Sequence, residues 1–316
     1  MSVLMAVFNG EKYLSASVES ILGQTFGDFE FLVLDDGSTD STSVVLNRYA
    51  AQDRRLRVIS RNNEGLIASL NELLGYAQGE FVARMDADDI ALPERFSKQV
   101  RFLRDHQEVV CVGGGVEFID EKGRFIRTLH YPTHDEEIQQ RNLSGDTAIC
   151  HPAAMMRRDA LIQAKGYDHD FCLAEDLDLW LRLGEIGKVA NLEEVVLRYR
   201  FHSGSVSEQG SATQLEVARA ACERAWQRRG IQREFRAVPW RPGPSRASRH
   251  KHVLKLGWWA MHSRQRRTAV IYALRAVKEW PAHRGGWVLL VYATCGPLRG
   301  LIDSFRRRKS KLSELE

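Results

Sequence analysis

Polar and acidic side chains recur directly after four short apolar runs in the first third of the chain. They are Phe8-Asn9, Asp35-Asp36-Gly37-Ser38, Arg61-Asn62-Asn63 and Asp86-Ala87-Asp88-Asp89. If the runs are parallel strands of one open sheet, these residues meet at one edge, where ligands bind in such sheets. Crowded carboxylates repel one another unless a cation lies among them, and hard oxygen ligands suit Mg²⁺ or Mn²⁺. Such an ion in turn suits a diphosphate.

The apolar runs alternate with segments of helical period, which predicts a parallel sheet with crossover helices. Helices are expected from about Tyr13 to Gln24, after the N-capping residues Ser38-Thr39-Asp40, and through the leucines between Leu66 and Leu74. Since crossovers are right-handed, the strands should form one doubly wound sheet. The four predicted strands are Val3–Phe8, Phe29–Leu34, Leu56–Ile59 and Phe81–Met85.

The chain is less regular after Pro93. The predicted elements are a helix to about Asp105, strands at Val109–Val116 and Phe125–Leu129, a helix around Leu177–Leu183 and a strand at Val195–Phe201. They complete a first domain of residues 1–210. Residues 211–316 form a basic helical extension, with an amphipathic helix from about Ser211 to Arg229 and a Pro/Arg-rich linker at Val238–Arg249.

The charge of the chain is unevenly distributed. Residues 211–316 carry 23 Lys+Arg against 7 Asp+Glu, a net charge of +16. The whole chain carries +4, so residues 1–210 total −12. This split indicates an acidic body that binds cations and a basic extension that meets something anionic, either phospholipid or nucleic acid.

Cysteine usage and the termini predict a cytosolic protein. The five cysteines are scattered without paired spacing, which is typical of reduced thiols. The N-terminus opens on an apolar run without a basic n-region, which favours a strand over a signal peptide. The longest uncharged stretch, Gly285 to Leu298, is shorter than the roughly 20 residues of a membrane-spanning helix.

Five segments, in this order, resemble the family 2 glycosyltransferases, whose fold is the α/β GT-A fold. They are Ser2–Asn9, Ser20–Phe26, Phe29–Asp40, Gly79–Pro93 and Glu175-Asp176. The resemblance covers roughly residues 1 to 207. It implies an inverting enzyme that uses a nucleotide-diphosphate sugar, with a UDP-sugar favoured, together with Mn²⁺ or Mg²⁺. It also implies a saccharide or lipid-linked acceptor in cell-surface polysaccharide synthesis, and the lack of a Gln-x-x-Arg-Trp motif favours single additions.

The resemblance assigns the donor nucleotide to the first strand ends. Phe8 and Asp36 match the positions that hold the base and ribose, and Ala6 lines the same wall. Many relatives carry Tyr where this chain has Phe8, so the stacking face is kept and a hydroxyl contact is lost. The alternative for Phe8 is a core aromatic. Arg61 or Asn63 is expected beside the nucleotide.

The metal is assigned to the fourth strand end. Asp86 and Asp88 match the DxD motif, with Asp86 on the donor and Asp88 as the metal-contacting carboxylate. Asp89 would shape the loop. His202 follows a strand aimed at the same edge and is expected to touch the metal or the pyrophosphate, the alternative being a plain loop histidine.

Inverting transfer needs a carboxylate that takes the proton of the acceptor hydroxyl. Asp176 resembles the family's base, and Glu175 and Asp178 are the alternative candidates nearby in the sequence. Glu175 and His151 are expected to border the acceptor. The alternative for these acids is that they complement the dipole at the start of a helix.

Other classes of protein fit less well. A nicotinamide-dependent oxidoreductase would need a glycine-rich turn after the first strand, and a P-loop enzyme would need a GKS or GKT stretch. Neither is present. The remaining alternative is a membrane- or nucleic-acid-binding protein with a degenerate, non-catalytic glycosyltransferase-like domain. The intact Asp36, Asp86, Asp88 and Asp176 count against it.

The basic extension also carries aromatic residues, namely Trp258, Trp259, Trp280, Trp287 and Tyr292. Because indole rings favour the headgroup level and cations meet anionic lipid, the extension is predicted to bind the inner face of the plasma membrane peripherally. Arg306-Arg307-Arg308-Lys309 would add to this attraction. The alternatives are an ordinary helical domain that packs its Trp residues on the first domain, and a solvated basic extension. An acidic first domain disfavours nucleic acid.

Overall fold

The structure is a computed structural model that describes residues 1–202, 211–238 and 245–295, without the side chains of residues 211 and 212. Its first four strands, numbered β1 to β4 along the chain, form the parallel half of one sheet. Their order across the sheet is β3-β2-β1-β4. The four predicted strands and the helices between them are confirmed, with ends shifted by one or two residues. The elements are β1 (Ser2–Val7), α1 (Leu14–Leu22), β2 (Glu30–Asp35), α2 (Thr42–Ala50), β3 (Leu56–Ser60), α3 (Leu66–Tyr76) and β4 (Phe81–Arg84).

The second half of the sheet is mixed. Strand β8 runs antiparallel to β4 and β6, whereas β9 is parallel to β6, so the sheet continues β4-β8-β6-β9-β5. This half comprises β5 (Ile90–Ala91), α4 (Arg95–Asp105), β6 (Val109–Asp120), β7 (Phe125–Leu129), α5 (Asp135–Leu143), β8 (Met155–Arg157), α6 (Arg158–Gln163), α7 (Glu175–Ile186) and β9 (Lys188–Phe201). Strands β6 and β9 are longer than predicted, and β5, β8, α5 and α6 were not predicted.

Helices on the sheet explain why the middle of β2, Phe31–Leu34, is continuously apolar. Residues Phe31–Leu34 are all fully buried, as expected for a central parallel strand covered on both faces. Leu70 and Leu73 of α3 pack in the same core cluster as Leu32 and Leu34. Burial of each such side chain stabilises the folded state by about 1.5–3 kcal/mol. The core therefore holds the strand ends, and the residues that follow them, in fixed positions.

The chain divides into two compact units, the first comprising Met1–Glu121 and Thr128–Trp240 and the second Lys122–Arg127 and Arg241–Glu316. Helix α8 (Ser211–Arg229) lies in the first unit. Its small buried residues Ala221, Cys222 and Ala225 pack with Leu177 and Leu181 of α7. The first unit thus extends past the boundary predicted after residue 210, because α8 covers an apolar face of α7.

The described residues of the second unit include three helices, α9 (Arg246–His262), α10 (Arg266–Glu279) and α11 (Arg284–Thr294). Small residues allow them to approach closely. A Cβ at Gly257 of α9 would lie only 2.4 Å from Cδ2 of Leu289 in α11. This close packing agrees, for the described residues, with the alternative of an ordinary helical domain. The predicted basic cluster Arg306–Lys309 lies outside the described residues. Within the described ranges, no helix is long and apolar enough to cross a membrane.

Candidate active site

The loops after β1 and β2 are held together at the carboxyl edge of the sheet. Gly37 has a φ of +78°, and a Cβ there would come within 2.7 Å of the backbone nitrogen of Asn63. Only glycine allows this conformation and this approach. The Asn9 side chain accepts a hydrogen bond of 2.8 Å from the Thr39 amide. Local backbone geometry therefore brings the first three strand ends to one place.

Phe8 is 53% exposed at the end of β1, so it is not the core aromatic that the sequence allowed as an alternative. Ala6, two residues earlier, is half-buried. An exposed ring beside a small residue offers a flat apolar surface. A planar base can stack on such a surface.

Asp36 is buried and holds the loop that leads into α3. Its two carboxylate oxygens accept hydrogen bonds from the backbone amides of Glu64 and Gly65, at 3.0 and 2.8 Å. Arg61 pairs with the same carboxylate at 3.1 Å. Asn63 is exposed in this loop. The three residues predicted beside the nucleotide therefore lie in one small region, with Asp36 and Arg61 bonded to each other.

An acidic cluster follows β4. Asp86, Asp88 and Asp89 each place one carboxylate oxygen within 4.8 Å of the others. Asp89 is 1% exposed, and its Oδ2 is buried without a hydrogen-bond partner in the described part of the chain. Burial, together with the charges of Asp88 and Asp86, raises the pKa of Asp89 well above its usual value. Three hard oxygen donors with an unpartnered buried atom fit a divalent cation such as Mn²⁺ or Mg²⁺.

The end of β9 lies against this cluster. His202 Nε2 is 2.6 Å from Oδ2 of Asp88, and the Arg200 Nε donates a hydrogen bond of 2.7 Å to the Asp88 carbonyl. The Tyr13 ring packs 4.8 Å from the His202 ring and lies 4.6 Å from the Arg200 guanidinium. The structure thus brings His202 and Asp88 together, as expected for a shared metal or pyrophosphate site.

Arg84, the last residue of β4, is a buried cation beside the acidic cluster. It is 3% exposed, and its Nη1 pairs with Oδ1 of Asp86. Burial raises the pKa of Asp86, and the positive charge of Arg84 opposes that rise. The same charge also opposes the rise in pKa that burial causes at Glu175 and Asp176. Arg84 therefore links the two groups of carboxylates electrostatically.

The second group of carboxylates begins α7. Burial first, and then the charge of Asp176, raises the pKa of Glu175 to about 7. Burial likewise raises the pKa of Asp176, whose Oδ1 accepts a hydrogen bond of 2.7 Å from the Leu177 amide. Asp178 is 1% exposed and accepts a hydrogen bond of 2.8 Å from the Arg182 Nε. Asp178 thus stabilises the helix packing, which leaves Glu175 and Asp176 as candidates for the base.

His151 is buried in a short 3₁₀ helix, His151–Ala153. Its Nε2 is 2.9 Å from the hydroxyl of Tyr167, and its ring packs against Trp180. Burial, with the nearby charge of Arg84, keeps the pKa of His151 well below its usual value. The imidazole is therefore neutral, and it orders Tyr167.

A family model described as Glycosyl transferase family 2 matches residues 2–164, more than half of the chain. The chain belongs to this family. The O-antigen biosynthesis glycosyltransferase WbnJ of Escherichia coli is 34% identical over 217 residues, which cover 67% of this chain and 84% of WbnJ.

Solved structures show that this glycosyltransferase has the GT-A fold. Staphylococcus aureus TarS 1-349 in complex with UDP-GlcNAc superimposes with a TM-score of 0.54 at 16% identity, covering 92% of this chain and 78% of TarS. The mannosyltransferase PcManGT from Pyrobaculum calidifontis, in complex with GDP-Man and Mn²⁺, gives a TM-score of 0.53 at 17% identity, covering 95% and 81%. At these identities the likeness extends to the fold alone.

Several residues at the site were not predicted from the sequence, namely Tyr13, Arg84, Tyr167 and Arg200. Arg84 left one signal, because it is a charged residue in an otherwise apolar strand, two residues before Asp86 of the DxD motif. Tyr13 and Arg200 leave none, since their partners lie far away in the sequence. Their proximity to Asp88 depends on the pairing of β9 with β5 and β6.

Proposed function

We propose that this glycosyltransferase transfers a single sugar, with inversion, from a nucleotide-diphosphate sugar to a saccharide or lipid-linked acceptor. One observation carries the proposal: Asp86, Asp88 and Asp89 form a cluster that fits a divalent cation, with His202 Nε2 2.6 Å from Oδ2 of Asp88. A UDP-sugar is favoured as donor. The bound UDP-GlcNAc of TarS and the relation to WbnJ support a donor of this class and a role in cell-surface polysaccharide synthesis.

In this proposal the donor nucleotide stacks on Phe8 against Ala6, and its ribose lies near Asp36. Arg61 and Asn63 border it from the loop before α3. Asp36 is already bonded to that loop, so it acts mainly by holding Arg61 and Asn63 in position.

Asp88 and His202 would hold Mn²⁺ or Mg²⁺, with Asp86 directed at the donor. When bound, the ion would neutralise the charge that develops on the leaving diphosphate. The 2.6 Å contact between His202 and Asp88 supports this pairing.

The acceptor hydroxyl is proposed to approach Asp176 with Glu175 beside it. Its oxygen forms a bond to the anomeric carbon while the bond from that carbon to the diphosphate oxygen breaks on the opposite face. The proton passes to Asp176, and the configuration inverts. His151 is buried, so its influence on the acceptor would act through Tyr167.

We also propose that the enzyme works in the cytoplasm at the inner face of the plasma membrane, where a lipid-linked acceptor would be presented. The charge of +16 over residues 211–316 supports attraction to an anionic surface.

A donor panel tests the proposed chemistry. The full chain is incubated with UDP-, GDP- and dTDP-sugars, with and without Mn²⁺, and release of the nucleoside diphosphate is measured. We expect release from one class of donor, dependent on the metal, and NMR of the early product should show the inverted anomer. Failure of every donor, together with no Mn²⁺-dependent thermal stabilisation by UDP or GDP, would contradict the function.

A further inference from the structure

One face of α11 in the second unit is apolar and exposed. Trp287, Val288 and Val291 are 50%, 42% and 49% exposed, whereas Leu289 and Ala293 on the other side are buried. At 3.6 residues per turn, the three exposed residues span about 100° of the helix. We call these three residues the α11 outer face. Its packed side anchors the helix, so the outer face is available for a partner.

Trp287 is held with its polar atom turned inward. Its indole nitrogen donates a hydrogen bond of 2.9 Å to the carbonyl of Pro281. The indole N–H is the only polar group of this side chain. Because that group has its hydrogen-bond partner inside the unit, the exposed half of the ring is apolar, and its transfer out of water is favourable.

The unit around this face is strongly cationic. The described residues 245–295 contain ten Lys and Arg residues and one acid, Glu279, a net charge of +9. Glu279 pairs with Arg249 at 3.2 Å. Arg284 begins α11 on the side of its outer face, and Arg266 and Arg267 are exposed at the start of α10. The complementary partner is therefore anionic at its surface.

An anionic bilayer combines this charge with an apolar layer beneath it. Aromatic and aliphatic side chains enter the acyl boundary while Arg and Lys remain among the headgroups. A nucleic acid would satisfy the cations and stack on Trp287, but it would leave both valines in water. The apolar face thus favours a bilayer over a polyanion.

We infer that the α11 outer face inserts into the interface of a bilayer rich in anionic phospholipid. This inference rests on the proposed location at a membrane, identifies the surface that would hold the enzyme there, and does not depend on the transfer reaction. Insertion through one short helix, assisted by charge, is peripheral and reversible.

Vesicle binding of the full chain tests the inference. Cosedimentation is measured with phosphatidylcholine vesicles and with vesicles that also contain phosphatidylglycerol. The face variant is Val288→Gln with Val291→Gln, which removes apolar area without changing charge. The matched control is Val44→Gln with Val238→Gln, because these valines are 69% and 79% exposed in the first unit. Circular dichroism melting verifies that all proteins fold.

We expect the wild type and the control to bind vesicles that contain phosphatidylglycerol. The face variant should bind these vesicles about tenfold more weakly, or more weakly still. Added salt should weaken binding of all three. Tryptophan fluorescence should be quenched by brominated lipid in the wild type, and much less in Trp287→Phe. Metal-dependent donor hydrolysis is measured in parallel. It should be equal in wild type, face variant and control, so failure of membrane binding and failure of the proposed chemistry are distinguishable.

Three results would overturn the inference. The first is equal vesicle binding by the face variant and the control, which would mean that charge alone operates. The second is retention on single- or double-stranded nucleic acid without binding to vesicles. The third is a dimer in solution that the face variant dissociates, since the occupant of the face would then be a second copy of the chain.

Discussion

The two groups of carboxylates at the sheet edge are built and balanced differently. In the first group, Asp86, Asp88 and Asp89 follow one strand of the parallel half and leave a buried Asp89 oxygen unpartnered among the described residues. In the second, Glu175 and Asp176 begin a helix of the mixed half, within the influence of Arg84. In the first group the ion pair of Arg84 with Asp86 compensates only part of the negative charge, so a divalent cation fits there, whereas in the second group burial raises the pKa of both carboxyls and the charge of Arg84 opposes that rise.

This difference suits two tasks. A cluster that is completed by a divalent ion can bind a diphosphate only when the ion is present. A carboxylate whose pKa lies near neutrality can accept a proton and release it again at the working pH. Changes in the first group should therefore affect binding, and changes in the second should affect turnover.

The largest effect is expected from Asp88→Ala. Removing this carboxylate deletes the 2.6 Å contact with His202 and removes the residue that we propose as the main protein ligand of the metal. We expect nucleotide binding that depends on Mn²⁺ or Mg²⁺ to fall below detection in calorimetry. Asp146→Ala, which removes an exposed carboxylate of the same unit, is the control and should bind like the wild type. An unchanged metal-dependent affinity in Asp88→Ala would refute this assignment.

The next largest effect is expected from Asp176→Asn. The amide keeps the shape of the side chain but cannot accept the proton, so turnover should fall by roughly 10² or more while donor affinity stays within a few-fold. Single-turnover kinetics and donor titration separate the two quantities. Glu175→Gln is the matched variant. If it is inactive while Asp176→Asn works near the wild-type rate, Glu175 is the base.

The parallel half could be predicted from the sequence because its strands are mostly apolar runs that are followed by polar residues. Phe8, Asp36 and Asp88 follow such runs and therefore fall at the same edge. The mixed half could not be predicted as well. Strand β8 has three residues and α6 has six, so neither is long enough to show a period.

The way in which charges offset one another at the site could not be predicted from the sequence either. The acids at the start of α7 are visible as a helix-start pattern, but the burial of Arg84 beside Asp86 depends on how β4 packs. The domain boundary differs for a related reason. Helix α8 resembles the basic extension in composition, yet its small residues belong to the core beside α7.

The smallest expected effect, and the one that tests the internal balance most directly, is on the pH dependence of turnover. A base acts as its carboxylate, and burial raises the pKa of Glu175 to about 7 and raises that of Asp176. At saturating donor, kcat should therefore rise with pH as the pair loses its proton, with a midpoint above the usual pKa of an aspartate, and level off at higher pH. Arg84→Met removes the cation that lowers the pKa of both carboxyls, so its midpoint should move to higher pH.

The loss of turnover in Arg84→Met should be about tenfold or less at pH 7 and should shrink as the pH rises, because a higher pH deprotonates the pair without the cation. Arg84→Lys keeps the positive charge and serves as the control, with a midpoint near that of the wild type. Donor affinity is measured at each pH, since Arg84 also pairs with Asp86. A loss that is equal at all pH values, or shared by Arg84→Lys, would show that Arg84 acts by holding Asp86 in place rather than by balancing Glu175 and Asp176.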